Sequence, residues 1–216
     1  MNPIERLTDL FKEFPGIGPR QARRFVQFLL SQQPGFRGDL SEAIKHLGTE
    51  TAQCKSCLRW YAKGSEHNGL CSICGSSSRD KSILFLVEKD ADIENIEQSG
   101  FRGLYFVLGG TIPLASEAPE KHVRLREMLK RVEADAAKLQ LTEVIVGLSA
   151  TTEGDHTRLI IQEKLRPISE GLNPVKGSEP HGASFKISSL GRGLSTGSEL
   201  EYADPDTIAS ALSSRQ

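Results

Sequence analysis

The chain has 216 residues, 25 % of them charged, and a formal net charge of −1, which leaves room for one large domain or several small modules. So even a balance excludes a protein that binds nucleic acid through its overall charge, and any such binding must rest on a local basic patch. The longest apolar runs, Ile83 to Val87 and Val144 to Leu148, fall far below the roughly 18–20 residues that span a bilayer. Met1-Asn2-Pro3-Ile4-Glu5-Arg6 also lacks the basic-then-apolar order of a secretory leader. No membrane association and a cytoplasmic address are therefore expected.

The first fifty residues read as helical. Ile4, Leu7, Leu10, Phe11 and Phe14 recur at helical spacing until Pro15-Gly16 stops them. A second helix is expected from Pro19, a residue suited to a first turn, with Ala22, Phe25, Val26 and Leu29 on one face. A third, capped by Asp39 or Ser41, presents Leu40, Ala43, Ile44 and Leu47.

All four cysteines follow, as Cys54-x2-Cys57 and Cys71-x2-Cys74 with thirteen residues between the pairs. Each pair can form a tight turn, and two such turns supply a tetrahedron of thiolates. In a reducing compartment this spacing points to structural zinc, closed to water and substrate, rather than to redox-active dithiols. His67 lies between the pairs but is not needed as a ligand. A segment of about 25 residues cannot bury a core of its own, so metal binding is expected to supply much of its folding energy, on the order of 10–16 kcal/mol in isolated fingers.

Beyond Lys81 the pattern changes to strands and helices in alternation. Apolar runs at 83–87, 104–108 and 144–148 read as buried strands, and 185–190 as a fourth. Helices are expected over 90–98, 119–140, 155–165 and 204–212. That alternation argues for a largely parallel sheet with helices on its faces, hence an α/β multi-module chain. The stretch from Ser169 to Ser184, rich in Gly, Pro, Ser and Asn, reads as an exposed insertion.

Two constellations carry candidate chemistry besides the cysteines. Phe14-Pro15-Gly16-Ile17-Gly18-Pro19-Arg20 has the Gly-hydrophobic-Gly turn of a helix-hairpin-helix, in which Gly16 and Gly18 let the backbone approach a phosphate at the next helix's N-terminus. Arg20 and Arg24 share a helix face with Arg23 beside them, and residues 1–38 carry a local net charge of +3. Such a patch grips backbone without reading bases, so DNA binding would be sequence-independent and salt-sensitive. The alternative is a plain helical hairpin with solvated arginines. The second constellation is acidic. Glu88 closes the first strand with Asp92 one turn on, and Glu153-Gly154-Asp155 follows the third. Loops after parallel strands converge on one edge, where such carboxylates could hold Mg²⁺ or merely cap helices.

The acidic arrangement resembles a Toprim domain, with Glu-x-Asp standing where that family carries Asp-x-Asp. The order of hairpin, four-cysteine site and Toprim-like domain resembles the RecR family of bacterial recombination mediators. Its most specific stretches are Phe14 to Pro19, Cys54 to Cys74 with Arg79-Asp80, Val107-Leu108-Gly109-Gly110, and Leu200-Glu201-Tyr202-Ala203-Asp204. The last of these resembles that family's Walker B-like tract, and no phosphate loop accompanies it. The resemblance implies a helix-hairpin-helix DNA-binding region over 1–53, a zinc finger over 54–78, a Toprim-like domain over 79–187 and a C-terminal tail over 188–216. It implies a non-enzymatic role in repair of gapped DNA, with RecO and RecF as partners in loading recombinase, and a ring-like tetramer that clamps DNA. By the same resemblance Arg20 and Arg24 contact DNA, and the Toprim face with Glu88 and Asp92 meets partners. Ser149-Ala150-Thr151 and Ser195 to Glu199 depart from the family's Asn-Pro-Thr and Pro-Val-Gly-Gly-Asp. The rival expectation is a Mg²⁺-dependent Toprim enzyme, a nuclease or primase-like protein. The zinc site itself is expected to brace the hairpin and the Toprim-like domain.

Overall fold

The computed structural model describes residues 2–64, 68–138, 141–171, 184–191, 204–205 and 207–209. It divides into two compact units, Met1–Ala52 and Gln53–Gln216.

The first unit is helical. Helix α1 (Pro3–Lys12) is capped by Asn2, whose side chain accepts from the Ile4 N–H, and α2 (Pro19–Ser31) starts with Pro19 in its first turn. They pack as a hairpin through Ala22 and Val26, with the Phe11 and Phe25 rings edge to face at 5.6 Å. The apolar series of α1 is only partly used for this, since Leu10 and Phe14 stay exposed while Thr8 is buried. Helix α3 (Pro34–Glu50) begins well before the expected caps at Asp39 or Ser41, because Pro34 enters a first turn at no hydrogen-bond cost. None of its 17 residues is buried.

After α3 comes a two-stranded ribbon, β1 (Thr51–Gln53) and β2 (Trp60–Ala62), too short for any sequence periodicity to reveal. A four-stranded sheet follows, in the order β4-β3-β5-β6, formed by β3 (Ile83–Val87), β4 (Leu104–Val107), β5 (Glu143–Gly147) and β6 (Lys186–Ser189). Every pairing is parallel, with Phe85 in register between Tyr105 and Ile145. The apolar runs are continuous because β3 and β4 are covered on both faces, with all four residues of β4 buried. Gly147 meets the Phe85 ring at a distance that leaves no room for a Cβ, so β5 carries glycine at its end.

Helices α4 (Asp90–Gln98), α5 (Leu125–Ala137) and α6 (Thr152–Ser169) connect the strands. The helix expected over 119–140 is broken. A 3-10 turn at Pro119–Lys121 precedes α5, and between them the Arg124 N–H donates to the Leu108 carbonyl at 2.9 Å, drawing the chain back onto the sheet. Helix α6 starts earlier than expected, and its cap is Thr151, whose hydroxyl accepts from the Gly154 N–H, rather than Asp155. The insertion from 172 to 183, the end of the expected 119–140 helix, His67 and most of the C-terminal tract lie outside the described residues.

Candidate metal centre and nucleic-acid interface

The ribbon turn places Cys54 and Cys57, and the following loop places Cys71 and Cys74, so that all four Sγ atoms lie within 4.8 Å of one another. With Zn–S bonds of about 2.3 Å, a tetrahedral ion sets its sulfurs about 3.8 Å apart, and Cys57 Sγ and Cys71 Sγ are 3.7 Å apart. The Cys71 N–H points at Cys54 Sγ at 3.4 Å, and Cys54, Cys57 and Cys71 are buried. Hydrogen bonds from Cys57, then Cys71 and Cys74, drive the Cys54 thiol far below its ordinary range, against the burial that raises it. Cys71 is lowered too, whereas hydrogen bonds within the cluster and burial raise Cys57 and Cys74, so the four thiols share their protons and only a cation would hold all four as thiolates. Donor type, spacing and burial fit a closed structural metal site.

The cysteine turn is fastened to the sheet. Strand β4 is an edge, which would leave a row of unpaired backbone groups, but the Val107 N–H donates to the Cys57 carbonyl at 2.9 Å. Two arginines, Arg124 just before α5 and Arg131 within it, complete the attachment. Arg124 Nη1 donates to the Leu58 carbonyl at 2.9 Å and Arg131 Nη1 to the Ser56 carbonyl at 2.9 Å. Arg131 also contacts the Ser56 hydroxyl and is held by Asp135 at 2.5 Å. Leu58 adopts φ +61°, a left-handed conformation that turns its carbonyl toward both Arg124 and the Gln53 amide. Below the cluster, Arg79 pairs with Glu97 and donates to the Phe101 carbonyl at 3.0 Å, while the Tyr105 hydroxyl donates to Glu97 at 2.6 Å. Burial, then the Glu97 hydrogen bond, pushes the Tyr105 hydroxyl well above its usual pKa. In the sequence these arginines look like ordinary solvated helix charges. The partners of Arg124 and Arg131 lie 66 and 75 residues away, so no local pattern reveals them.

The four acids of the expected constellation each have a partner. Glu88 is buried at the end of β3, bonded to Lys89 at 2.9 Å and to the Ser149 hydroxyl at 2.8 Å. Burial raises its carboxyl, but these two hydrogen bonds outweigh it and the net shift is downward. Asp92 instead accepts from the Lys89 N–H at 2.7 Å and closes the start of α4. Asp155 pairs with Arg158 at 3.0 Å, and Glu153 accepts from Thr111 at 3.4 Å. Gly154 lies between them because a Cβ there would collide with the Ser149 carbonyl. Among the described residues, the four cysteines are the one group of three or more potential ligands gathered this closely.

At the hairpin, Gly16 takes φ +78° and nothing crowds the open side of Gly16 or Gly18. Gly18 precedes α2 without a side-chain cap, so the first-turn N–H groups have no intrahelical acceptor. Pro19, Arg20, Arg23, Arg24 and Gln27 line one groove of this unit. Lys12 pairs with Asp9 at 2.7 Å, Lys45 with Glu42 at 2.6 Å, and Arg37 caps α2 through the Leu29 and Gln32 carbonyls. Arg20, Arg23 and Arg24 make no ion pair with any described residue.

A parallel sheet and a docked turn of four clustered cysteines that could hold a metal define a Toprim-domain protein, and the Toprim domain family model matches residues 82–174. The C-terminal model of RecR matches residues 193–216. Recombination protein RecR of Bifidobacterium longum subsp. infantis is 35 % identical over 215 residues, covering 99 % of this chain and 95 % of the relative. That of Prochlorococcus marinus is 33 % identical over the same length, covering 99 % and 94 %. The chain belongs to the RecR family of recombination proteins. No helix among the described residues is long and apolar enough to cross a membrane.

Proposed function

We propose that this protein is a non-enzymatic, DNA-binding mediator of recombinational repair, acting on gapped DNA in the cytoplasm. The observation that carries this reading is the α2 groove. Three arginines without ion-pair partners among the described residues stand beside an uncapped helix N-terminus and an open glycine turn, a combination suited to phosphate oxygens rather than base edges. Zinc in the cysteine cluster holds the ribbon turn against the Toprim sheet and takes no part in chemistry. RecO and RecF are the partners this family membership suggests, with Glu88 and the surrounding Toprim edge as their contact.

Self-association into a ring-like tetramer is supported by α3. Phe36, Leu40, Ile44 and Leu47 follow one face of that helix, and all four are exposed. An amphipathic helix with no buried residue needs a partner for its apolar face. A second copy supplies one. Solution mass with and without DNA tests this, and a strict monomer in both would remove the clamp.

The enzymatic alternative is tested on a gapped plasmid with Mg²⁺. The mediator reading predicts binding without cleavage or primer synthesis. Either activity, if lost on Glu88→Gln, would establish a Toprim enzyme instead.

A further inference from the structure

Trp60 is the chain's one tryptophan, and it stands 57 % exposed. It does not lie at a frayed end. Along β2 burial alternates, with Tyr61 inward between exposed Trp60 and Ala62, so the strand's period of two sets the indole on the outer face. Its main chain is fixed on both sides. The Trp60 N–H donates to Asp90 Oδ1 at 2.9 Å, and the neighbouring Arg59 carbonyl accepts from the N–H of Cys54, one of the four clustered cysteines, at 2.9 Å. A large flat apolar surface is thus held out to solvent on a braced support, where little ordering remains to be done on binding.

Cations flank it: Lys55 and Arg59 lie in the ribbon turn, with no acidic residue between Gln53 and Gly64 and Glu66 the next acid along the chain. The acids that reach it from α4 are already engaged, Asp90 by the Trp60 N–H and Glu97 by Arg79 and Tyr105. An aromatic face among cations suits a ligand that offers a π-face and phosphates together. We propose that Trp60 is a stacking platform for an unpaired base of single-stranded DNA, with Lys55 and Arg59 meeting the flanking phosphates. A duplex keeps its bases stacked on one another and presents none, so this surface separates single strands from duplex where the α2 groove does not. The platform rests on the DNA-binding reading above but can fail without it.

The test uses the full chain purified with zinc. Its intrinsic fluorescence comes from Trp60 alone among tryptophans, and it is followed as oligothymidylate or a matched duplex is added. Binding is measured in parallel by the anisotropy of labelled DNA. Stacking predicts strong quenching that saturates with bound oligothymidylate and little change with duplex. Trp60→Ala should weaken single-strand affinity about tenfold and leave duplex affinity unchanged, and Trp60→Phe should recover part of the loss. If oligothymidylate binds by anisotropy while the emission stays constant, the platform is wrong and the DNA reading stands. Equal losses for both DNAs on Trp60→Ala also overturn it. If neither DNA binds, both readings fall. An emission that shifts with protein concentration alone would assign the indole to a second copy of the chain and overturn the proposal.

Discussion

The N–H of Val107 donates to the carbonyl of Cys57 at 2.9 Å, so the main chain of a clustered cysteine is bonded to the open edge of the Toprim sheet. The cysteine cluster and the sheet are therefore one structural unit. Losing a bound ion should free the edge of β4 as well as the cysteine turn.

Cys54→Ser should accordingly release zinc and destabilise the whole second unit. Metal analysis should fall from one zinc per chain to none. The melting temperature should drop by ~10 °C or more, because each kcal/mol is worth about 2–4 °C in a chain of this size. A variant with normal metal content and melting would show the cluster to be misread.

Arg124→Ala should destabilise by about 1–3 kcal/mol, since it leaves the Leu58 and Val107 carbonyls without their charged donor. Zinc content should remain normal. Loss of zinc without a change in melting would reverse that order of dependence.

The Arg79–Glu97 pair predicts a defined pH response. The hydrogen bond from Arg79 holds the Glu97 carboxyl below the usual carboxylate range, burial opposes it, and Tyr105 adds to the lowering. A carboxyl depressed in the folded state contributes stability that is full above its unfolded pKa of about 4.3 and is lost as pH falls through the folded value. Glu97→Gln should therefore melt ~2–4 °C lower than the parent at pH 7, with the gap closing in acid. A gap that does not change with pH would assign the effect to packing.

Gly154→Ala should cost about 1–3 kcal/mol, because the added methyl meets the Ser149 backbone carbonyl, which cannot swing aside as a side chain can. It should also displace the Ser149 hydroxyl from Glu88. Thermal melting checks the first effect. Partner binding through the Toprim edge, compared with Ser149→Ala, checks the second.

Much of the fold was legible because the signals were strong and local. Continuous apolar runs at Ile83–Val87 and Leu104–Val107 belong to strands buried on both faces, and the cysteine spacing states its own geometry. The sequence was silent where structure depends on distant partners. Nothing near Arg124 or Arg131 announces a carbonyl in the cysteine turn, and nothing near Leu125 announces that the preceding chain is pulled onto Leu108. The four acids illustrate the limit in another way. Their placement after strands β3 and β5 was readable, whereas the local partners of Asp92 and Asp155, the Lys89 N–H and Arg158, were not.

The central claim is that the chain grips DNA through the charges of α2 without reading sequence. The most direct test is the salt dependence of DNA affinity for the parent and for the double variant Arg20→Glu, Arg24→Glu, on two unrelated sequences. The account predicts equal affinities for the two sequences. It also predicts a plot of log affinity against log salt whose slope becomes shallower by about two in the variant, close to 0.9 for each phosphate no longer neutralised. An unchanged slope and affinity at low salt, or a strong preference for one sequence, would contradict it.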